Sequence, residues 1–587
     1  MISIFNTLTQ HREARPVPHY DDVDLAIVAE STYPYLRGGV SAVIHDIVRA
    51  NPDRSVGIIH IAWDSDCPTE HAYDVPPNVR WIYPVFLSMD DHVDDFKLAS
   101  ASALDLSPSE RWRLSGEVFE ALDQLVEGNT RPAWRLYDLT LNPRTRAYPL
   151  WLLLSTQEFM ACAMERFTDF GIPFTKLFWL LREYFSLTCA IAGPDYPKAK
   201  VYHSHTTGYA GMLAAIAARQ NRGCVLLTEH NLYTRDTINL LLERNMNTVV
   251  SAKDWQTDPG ADPTQRAWMA WYTEIGRLIY KAADRITYLY PAAVAEAGGL
   301  GSAPAKSEIV PNGMLLDKFE SARAHFLGRR AAARQSTAQP TWRLAYCARL
   351  VPIKGLLDLI STVADLVQAG VTNFTLDVMG HADEIPEYAT ECRQRVQDLG
   401  LCDLVCFRGN LDMAEVLGNF DLLILPSYNE GQPLVVMEAM AVGLPVIGTY
   451  VGGMEQLILS PLNQGHEPTP GPCGILVRPG KLAELAEAIR KLITDQELYN
   501  FFSENSRDRI SRYFALDKAM SAYRLIYSQL EIPAVPPIPS PRPMRRAPLL
   551  RPAGRHRQGD LQLQAWMAES PSSLGQAGES VSVLPRR

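Results

Sequence analysis

At 587 residues the chain exceeds what one hydrophobic core supports, and two to four domains are expected. Its 56 Lys and Arg against 66 Asp and Glu give a formal net charge of -10, which argues against nucleic acid as the main ligand. No apolar run approaches the ~20 residues of a membrane span, and nine cysteines at irregular spacing fit reduced thiols better than a disulfide framework.

Residues 1–20, with His11, Arg12, Glu13 and Arg15, hold no apolar signal segment and read as a flexible cytoplasmic leader. Val23 to Ala29 reads as a strand, followed by a loop whose Gly38-Gly39 pair permits close backbone approach to a ligand, then by a helix from Ser41 to Arg49. Val56 to Trp63 is the next strand. A long, mainly helical insertion, rich in Trp, Leu and Phe, is expected over about 64–197. Its apolar residues must bury against something, either as a cap on this domain or against a partner. Alternation resumes with the strand Val201-Tyr202-His203, the helix Gly211 to Arg219 and the strand Cys224 to Thr228, as in a doubly wound sheet. His203 and His205 imitate a metal pair without a third ligand nearby, so no essential metal is expected. His230 opens the polar loop that follows. It is either a structural histidine or one that faces the cleft, where an imidazole can bond a sugar hydroxyl or position a reacting centre.

A second alternating half starts at Trp342 to Cys347 and runs through Phe374 to Met379, Val405 to Arg408, Asp421 to Leu425 and Pro445-Val446-Ile447. The domains are drawn at 21–314 and 315–516, with a helix at 517–532 returning to the first. Residues 533–587 hold ten prolines, eight arginines and three acidic residues and read as a disordered tail of charge +5. That tail suits either plain solvation or weak attachment to an anionic surface.

The chemistry concentrates at strand ends of the second half. Arg349 and Lys354 follow its first strand, where open α/β sheets bind ligands, and two cations there suit a departing diphosphate. Glu430 lies in the turn after Asp421 to Leu425, and Glu438 about two helical turns further on, roughly on the same face. The intervening helix start offers free amides to an anion, while the carboxylates suit sugar and ribose hydroxyls.

Assembled in this order, Arg349 with Lys354, the Glu430 to Glu438 pair, Glu308 to Gly313 and Val451 to Glu455 resemble the retaining glycosyltransferases of GT-B fold, family 4, over about residues 20–530. Thr32 to Ser41, Thr206 to Gly211 and Thr228 to Arg235 look closer still to the PelF family of cytosolic exopolysaccharide glycosyltransferases. The resemblance implies two facing Rossmann-like domains and transfer of a hexosyl unit from a UDP-sugar, glucose or an N-acetylhexosamine, to a saccharide acceptor. It implies no tightly bound cofactor, with retention by front-face attack. Glu438 would hold the donor ribose and Glu430 a donor-sugar hydroxyl, with the amides of Gly431, Gln432 and Leu434 beside them. Arg349 and Lys354 would hold the diphosphate, Gly38 and Gly39 would admit it, and His230 would lie beside the reacting sugar. It further implies a cytoplasmic enzyme at the inner face of the membrane, with membrane-protein partners of a polysaccharide complex. Two rivals are a sucrose- or trehalose-type synthase or phosphorylase of the same fold, and a nucleotide-binding scaffold with little turnover.

Overall fold

The structure, a computed structural model, describes residues 20–92, 104–167, 172–242, 260–335, 341–459 and 470–531. The tail expected at 533–587, and the leader apart from Tyr20, lie outside the described residues.

Two parallel sheets organise the chain. The first contains β1 (Val23–Glu30), β2 (Val56–Ala62), β3 (Val79–Phe86), β4 (Ala199–Ser204), β5 (Cys224–Glu229), β6 (Arg285–Tyr288) and β7 (Ser307–Ile309), in the order β3-β2-β1-β4-β5-β6-β7. The second contains β8 (Trp342–Cys347), β9 (Phe374–Met379), β10 (Val405–Gly409), β11 (Leu422–Leu425), β12 (Val446–Thr449) and β13 (Gly474–Val477), in the order β10-β9-β8-β11-β12-β13. Inner strands such as β2, β11 and β12 are buried along their whole length, which explains their near-continuous apolar sequences. Strand order reverses between β1 and β4 and between β8 and β11, so each sheet opens a crevice at its strand carboxyl ends.

The expected insertion at about 64–197 needs correction, because its first part holds β3, the edge strand of the first sheet. Pro84 disguises this strand, since proline is tolerated only where its missing N–H faces away from the ladder. What fixes β3 is Gly57 on β2: a Cβ there would lie 2.2 Å from the Trp81 ring, which packs flat over the glycine. The remainder is helical, from Pro108–Val126, opened by a Ser107–Glu110 capping box, to Phe174–Ala192. Leu114, Phe119, Tyr137, Phe159 and Phe185 of this segment share one apolar cluster with Tyr209, Leu213 and Ile279 of the sheet layer. The insertion therefore caps its own domain.

The chain passes between the domains twice, and the two passages touch. Met314 N–H donates to Phe514 O at 2.8 Å and Leu516 N–H to Met314 O at 3.0 Å. A Cβ on Gly313 would lie 2.6 Å from Leu516 Cα, so only glycine allows this approach. Beyond it the helix Leu516–Leu530 lies on the first sheet, where Met520, Tyr523, Ile526 and Tyr527 join Ile27, Ile44 and Ile58 in one cluster. No described helix is long and apolar enough to cross a membrane.

Candidate active site

The strand ends of both sheets converge on one cleft. On the second domain, the chain leaving β8 carries Arg349 and then a single 3₁₀ turn, Pro352–Lys354, ended by Gly355 at φ 69°. The Tyr428 N–H donates to Ile353 O at 2.8 Å, which ties this turn to the one after β11. The tie sets Lys354 Nζ 2.7 Å from Glu430 Oε1, and Ser427 Oγ donates to the same oxygen at 2.7 Å. Both members of the ion pair are largely buried, at 15% and 8% side-chain exposure.

Arg349 is placed otherwise. Its guanidinium is 55% exposed and pairs at 2.5 Å with Glu384, so the structure does not bring it to Lys354 or Glu430. An exposed pair of this kind contributes about 0–1 kcal/mol, and Arg349 can exchange it for an anion at little cost.

The helix Leu434–Val442 begins after Pro433, and among the described residues the amides of Gly431, Gln432 and Leu434 donate to no protein acceptor. An α-helix leaves its first N–H groups without internal partners, and here they face the cleft floor beside Glu430. The Gln432 side chain also ties the site to the passage between domains. Its Oε1 accepts from Asn312 N–H at 2.6 Å, and its amide donates to Gln456 at 3.1 Å. Glu438 lies one turn into the helix, and desolvation in the cleft pushes its carboxyl up to about 7, against the pull of Lys318.

The first domain meets this surface closely. A Cβ on Gly39 would lie 3.8 Å from Leu434 Cδ1, whereas one on Gly38 would meet nothing within 4 Å. Gly38, at an ordinary extended φ of 176°, therefore leaves open space at the start of the helix Gly39–Ala50. Gly431 sits against the backbone of His230, where a Cβ would lie 2.2 Å from the carbonyl oxygen. His230 itself follows β5 in the cleft wall, and desolvation drives its imidazole down to about 4, so it is neutral at physiological pH. Its Nε2 is 2.8 Å from His205 Nδ1.

Sequence reasoning gave no individual role to several contributors. Glu30 ends β1 beside Ala210, and burial pushes its carboxyl up to about 7 although it accepts from the Ala210 N–H at 3.4 Å. Buried Arg235 donates to Glu296 at 2.8 Å, to Asn231 at 2.9 Å and, across the cleft, to Asn429 at 3.0 Å. Asn429 in turn donates to Asp236 at 3.2 Å, which clamps the residue beside Glu430 to the first domain. Gly452, at φ 52°, lies so close that a Cβ would be 1.5 Å from Glu430 O, and Gly453 N–H donates to Gly431 O at 2.6 Å. The resemblance carried by Thr228 to Arg235 was the signal for the Arg235 network, whose Arg235 and Asp236 open the helix Tyr233–Leu241 and whose Glu296 lies in the helix Pro291–Gly299. Both ring nitrogens of His203 are engaged, with Tyr527 Oη and Thr228 Oγ1, each at 2.8 Å. Among the described residues no three His, Cys, Asp or Glu side chains are grouped to hold a metal.

Comparison with known proteins gives this geometry its family context. Residues 341–495 match the profile of glycosyl transferases group 1. The second domain is a group 1 glycosyl transferase domain. Residues 23–304 match a domain of unknown function, DUF3492. The N-acetyl-alpha-D-glucosaminyl L-malate synthase of Bacillus anthracis is 34% identical over 172 residues, 29% of this chain and 42% of that protein. The D-inositol 3-phosphate glycosyltransferase of Geodermatophilus obscurus is 26% identical over 303 residues, 49% of this chain and 62% of that protein. The chain thus spans about half the length of these relatives. Among solved structures, sucrose-phosphate synthase from Thermosynechococcus elongatus superposes with a TM-score of 0.52 at 18% identity, covering 86% of this chain and 98% of that one. Anabaena HepE in complex with UDP gives 0.52 at 14% identity, covering 86% and 100%. At such identities the likeness speaks to architecture, and the fold is GT-B.

Proposed function

We propose that the protein is a retaining glycosyltransferase of family 4 and PelF type, which moves a hexosyl unit from UDP-glucose or a UDP-N-acetylhexosamine to a growing exopolysaccharide. The observation that carries this reading is the buried Lys354–Glu430 pair beside the free amides of the Leu434–Val442 helix. An ammonium has three protons. With one on Glu430, two are left for phosphate oxygens, while the second Glu430 oxygen accepts from a sugar hydroxyl. The diphosphate then lies over the helix start, where unpaired amides and partial positive charge favour it, with Arg349 released from Glu384 as a second cation. Glu438 takes the ribose, Gly38 leaves room for the phosphates, and His230 faces the sugar from the opposite wall. As the glycosidic bond breaks, negative charge grows on the bridging oxygen, and Lys354 and Arg349 stabilise it in a site shielded from water. The departing diphosphate accepts the acceptor proton on the same face, which gives retention.

HepE was solved with UDP, which supports the choice of nucleotide. The reading places the protein in the cytoplasm at the inner membrane face, beside membrane-protein partners of a polysaccharide complex. Calorimetric titration of the full chain with UDP, ADP and GDP, repeated on Lys354→Ala, tests the donor site. Selective UDP binding weakened in the variant supports the reading and is followed by a turnover screen of UDP-sugars. Tight ADP binding redirects it to ADP-sugars, and no binding of any nucleotide overturns it.

A further inference from the structure

Three histidines run from the core of the first domain to the cleft. His203 is fully buried on β4, its ring held at both nitrogens by Tyr527 and Thr228, and Thr228 is itself bonded to Thr287 at 2.6 Å. His205 packs on it with ring centroids 4.1 Å apart, and His230 lies edge to edge with His205, ring centroids 5.1 Å apart and planes inclined by only 19°. His205 is buried, and its Nδ1 lies 2.8 Å from His230 Nε2, whereas its Nε2 has no hydrogen-bond partner among the described residues.

One proton must lie between His205 Nδ1 and His230 Nε2, and two neutral arrangements are possible. If His230 donated, the His205 proton would sit on Nε2, leaving a buried N–H with no acceptor. If His205 donates, its Nε2 carries only an unused lone pair, and His230 carries its proton on Nδ1. Orphaned buried N–H groups are rarer than under-used acceptors, which favours the second arrangement. A charged form of either ring is disfavoured by burial, which lowers all three imidazoles.

We propose that His205 is a positioning residue that fixes the tautomer and orientation of His230, so that His230 meets the cleft with its Nδ1–H as a hydrogen-bond donor. In that state His230 holds a substrate oxygen and takes no proton from the acceptor. The part of this proposal that concerns turnover rests on the glycosyltransferase reading; the tautomer does not.

The test uses the full chain labelled with 15N-histidine, with His230→Gln assigning the His230 signals. Long-range 15N spectra are expected to show a protonated Nδ1 and an imine Nε2 on His230; the reverse pattern overturns the proposal. His205→Leu is then compared with His205→Asn, whose amide N–H takes the place of the Nδ1 donor. The Leu variant should show mixed His230 tautomers, with kcat reduced about 10- to 100-fold, as for partners that orient metal-bound imidazoles, and an unchanged KM for the donor. The Asn variant should keep the tautomer and most of kcat. A Leu variant with unaltered tautomer and kcat also overturns it. Should that variant fail to fold, the unmodified protein and the Asn variant decide. Absence of sugar transfer in the unmodified protein counts against the enzymatic reading alone, because the spectra are read without substrate.

Discussion

Lys354 and Glu430 come from loops 76 positions apart, after β8 and β11, and meet as a buried ion pair at 2.7 Å. Removing one member leaves the other charge without its partner. Lys354→Ala should therefore lower sugar transfer about 10²- to 10³-fold, the usual effect of deleting one electrostatic donor. A double-mutant cycle with Glu430→Ala, followed by urea unfolding, should give a coupling energy of about 0.5–3 kcal/mol. Additive effects would show that the two groups act separately.

Gly38 separates ligand effects from folding effects. Its extended backbone suits any residue, and a Cβ there meets nothing within 4 Å, so Gly38→Ala should leave the unfolding midpoint nearly unchanged. Nucleotide affinity should fall, because the methyl group enters the space left for the phosphates. A lost midpoint with intact affinity would place Gly38 in the fold rather than the site.

Gly431 predicts the complementary outcome. The Cβ of Gly431→Ala would meet the His230 carbonyl at 2.2 Å, a backbone atom that cannot swing aside. The two walls must then part. Small-angle scattering should show a more open molecule, with a higher donor KM and a lower kcat together.

Arg235 is buried among Asp236, Glu296, Asn231 and Asn429. Arg235→Met strands two carboxylates and should cost about 3–5 kcal/mol of stability. Asn429→Ala removes both hydrogen bonds across the cleft, from Arg235 and to Asp236, while leaving those charges paired, and should cost about 1–3 kcal/mol. Its larger effect should be on kcat, since it frees the neighbour of Glu430. Equal losses of stability in the two variants would contradict this division.

The histidines also predict an acid limb. Desolvation holds His60 near 4 and His203 near 3 in the fold, whereas unfolded imidazoles take up protons below about 6.5. The sign follows: these groups contribute stability that is fully present above 6.5 and is lost as pH falls toward their folded values. Each contributes a slope approaching 1.4 kcal/mol per pH unit. Urea unfolding of His203→Phe at pH 7.5, 6.5 and 5.5 should give a shallower decline than the unmodified protein. Parallel declines would mean that His203 titrates normally.

Much of the frame was legible because parallel strands announce themselves. Trp342–Cys347 and Phe374–Met379 are short apolar runs between polar turns, and both coincide with the observed strands. The helix Leu434–Val442 was equally clear, ended by Gly443 at φ 102°. β3 was hidden by its proline, and β13 opens on Gly474, a residue that weakens a strand pattern. In the site, Lys354 and Glu430 could be brought to one region by reasoning about strand ends, because topology alone brings those ends together, but their ion pair was not read. The Arg235–Asn429 bond joins residues 194 positions apart across two domains, and no local pattern records it. His205 was misleading for a related reason: alternate residues near a strand end suggest a shared face, but its hydrogen-bond partner, His230, lies just past the end of the next strand.

The helix Leu516–Leu530 gives the first domain Tyr523 and Tyr527, and Tyr527 anchors the ring beneath His205. The ribosome makes that helix only after the entire second domain. The nascent first domain thus waits with one sheet face covered only by the helix Gly39–Ala50, and with His203 lacking its Tyr527 partner, until nearly all of the described chain has been synthesised. Completion of the cleft is a late event in biogenesis, and a chain truncated at residue 515 would display an apolar sheet face to chaperones.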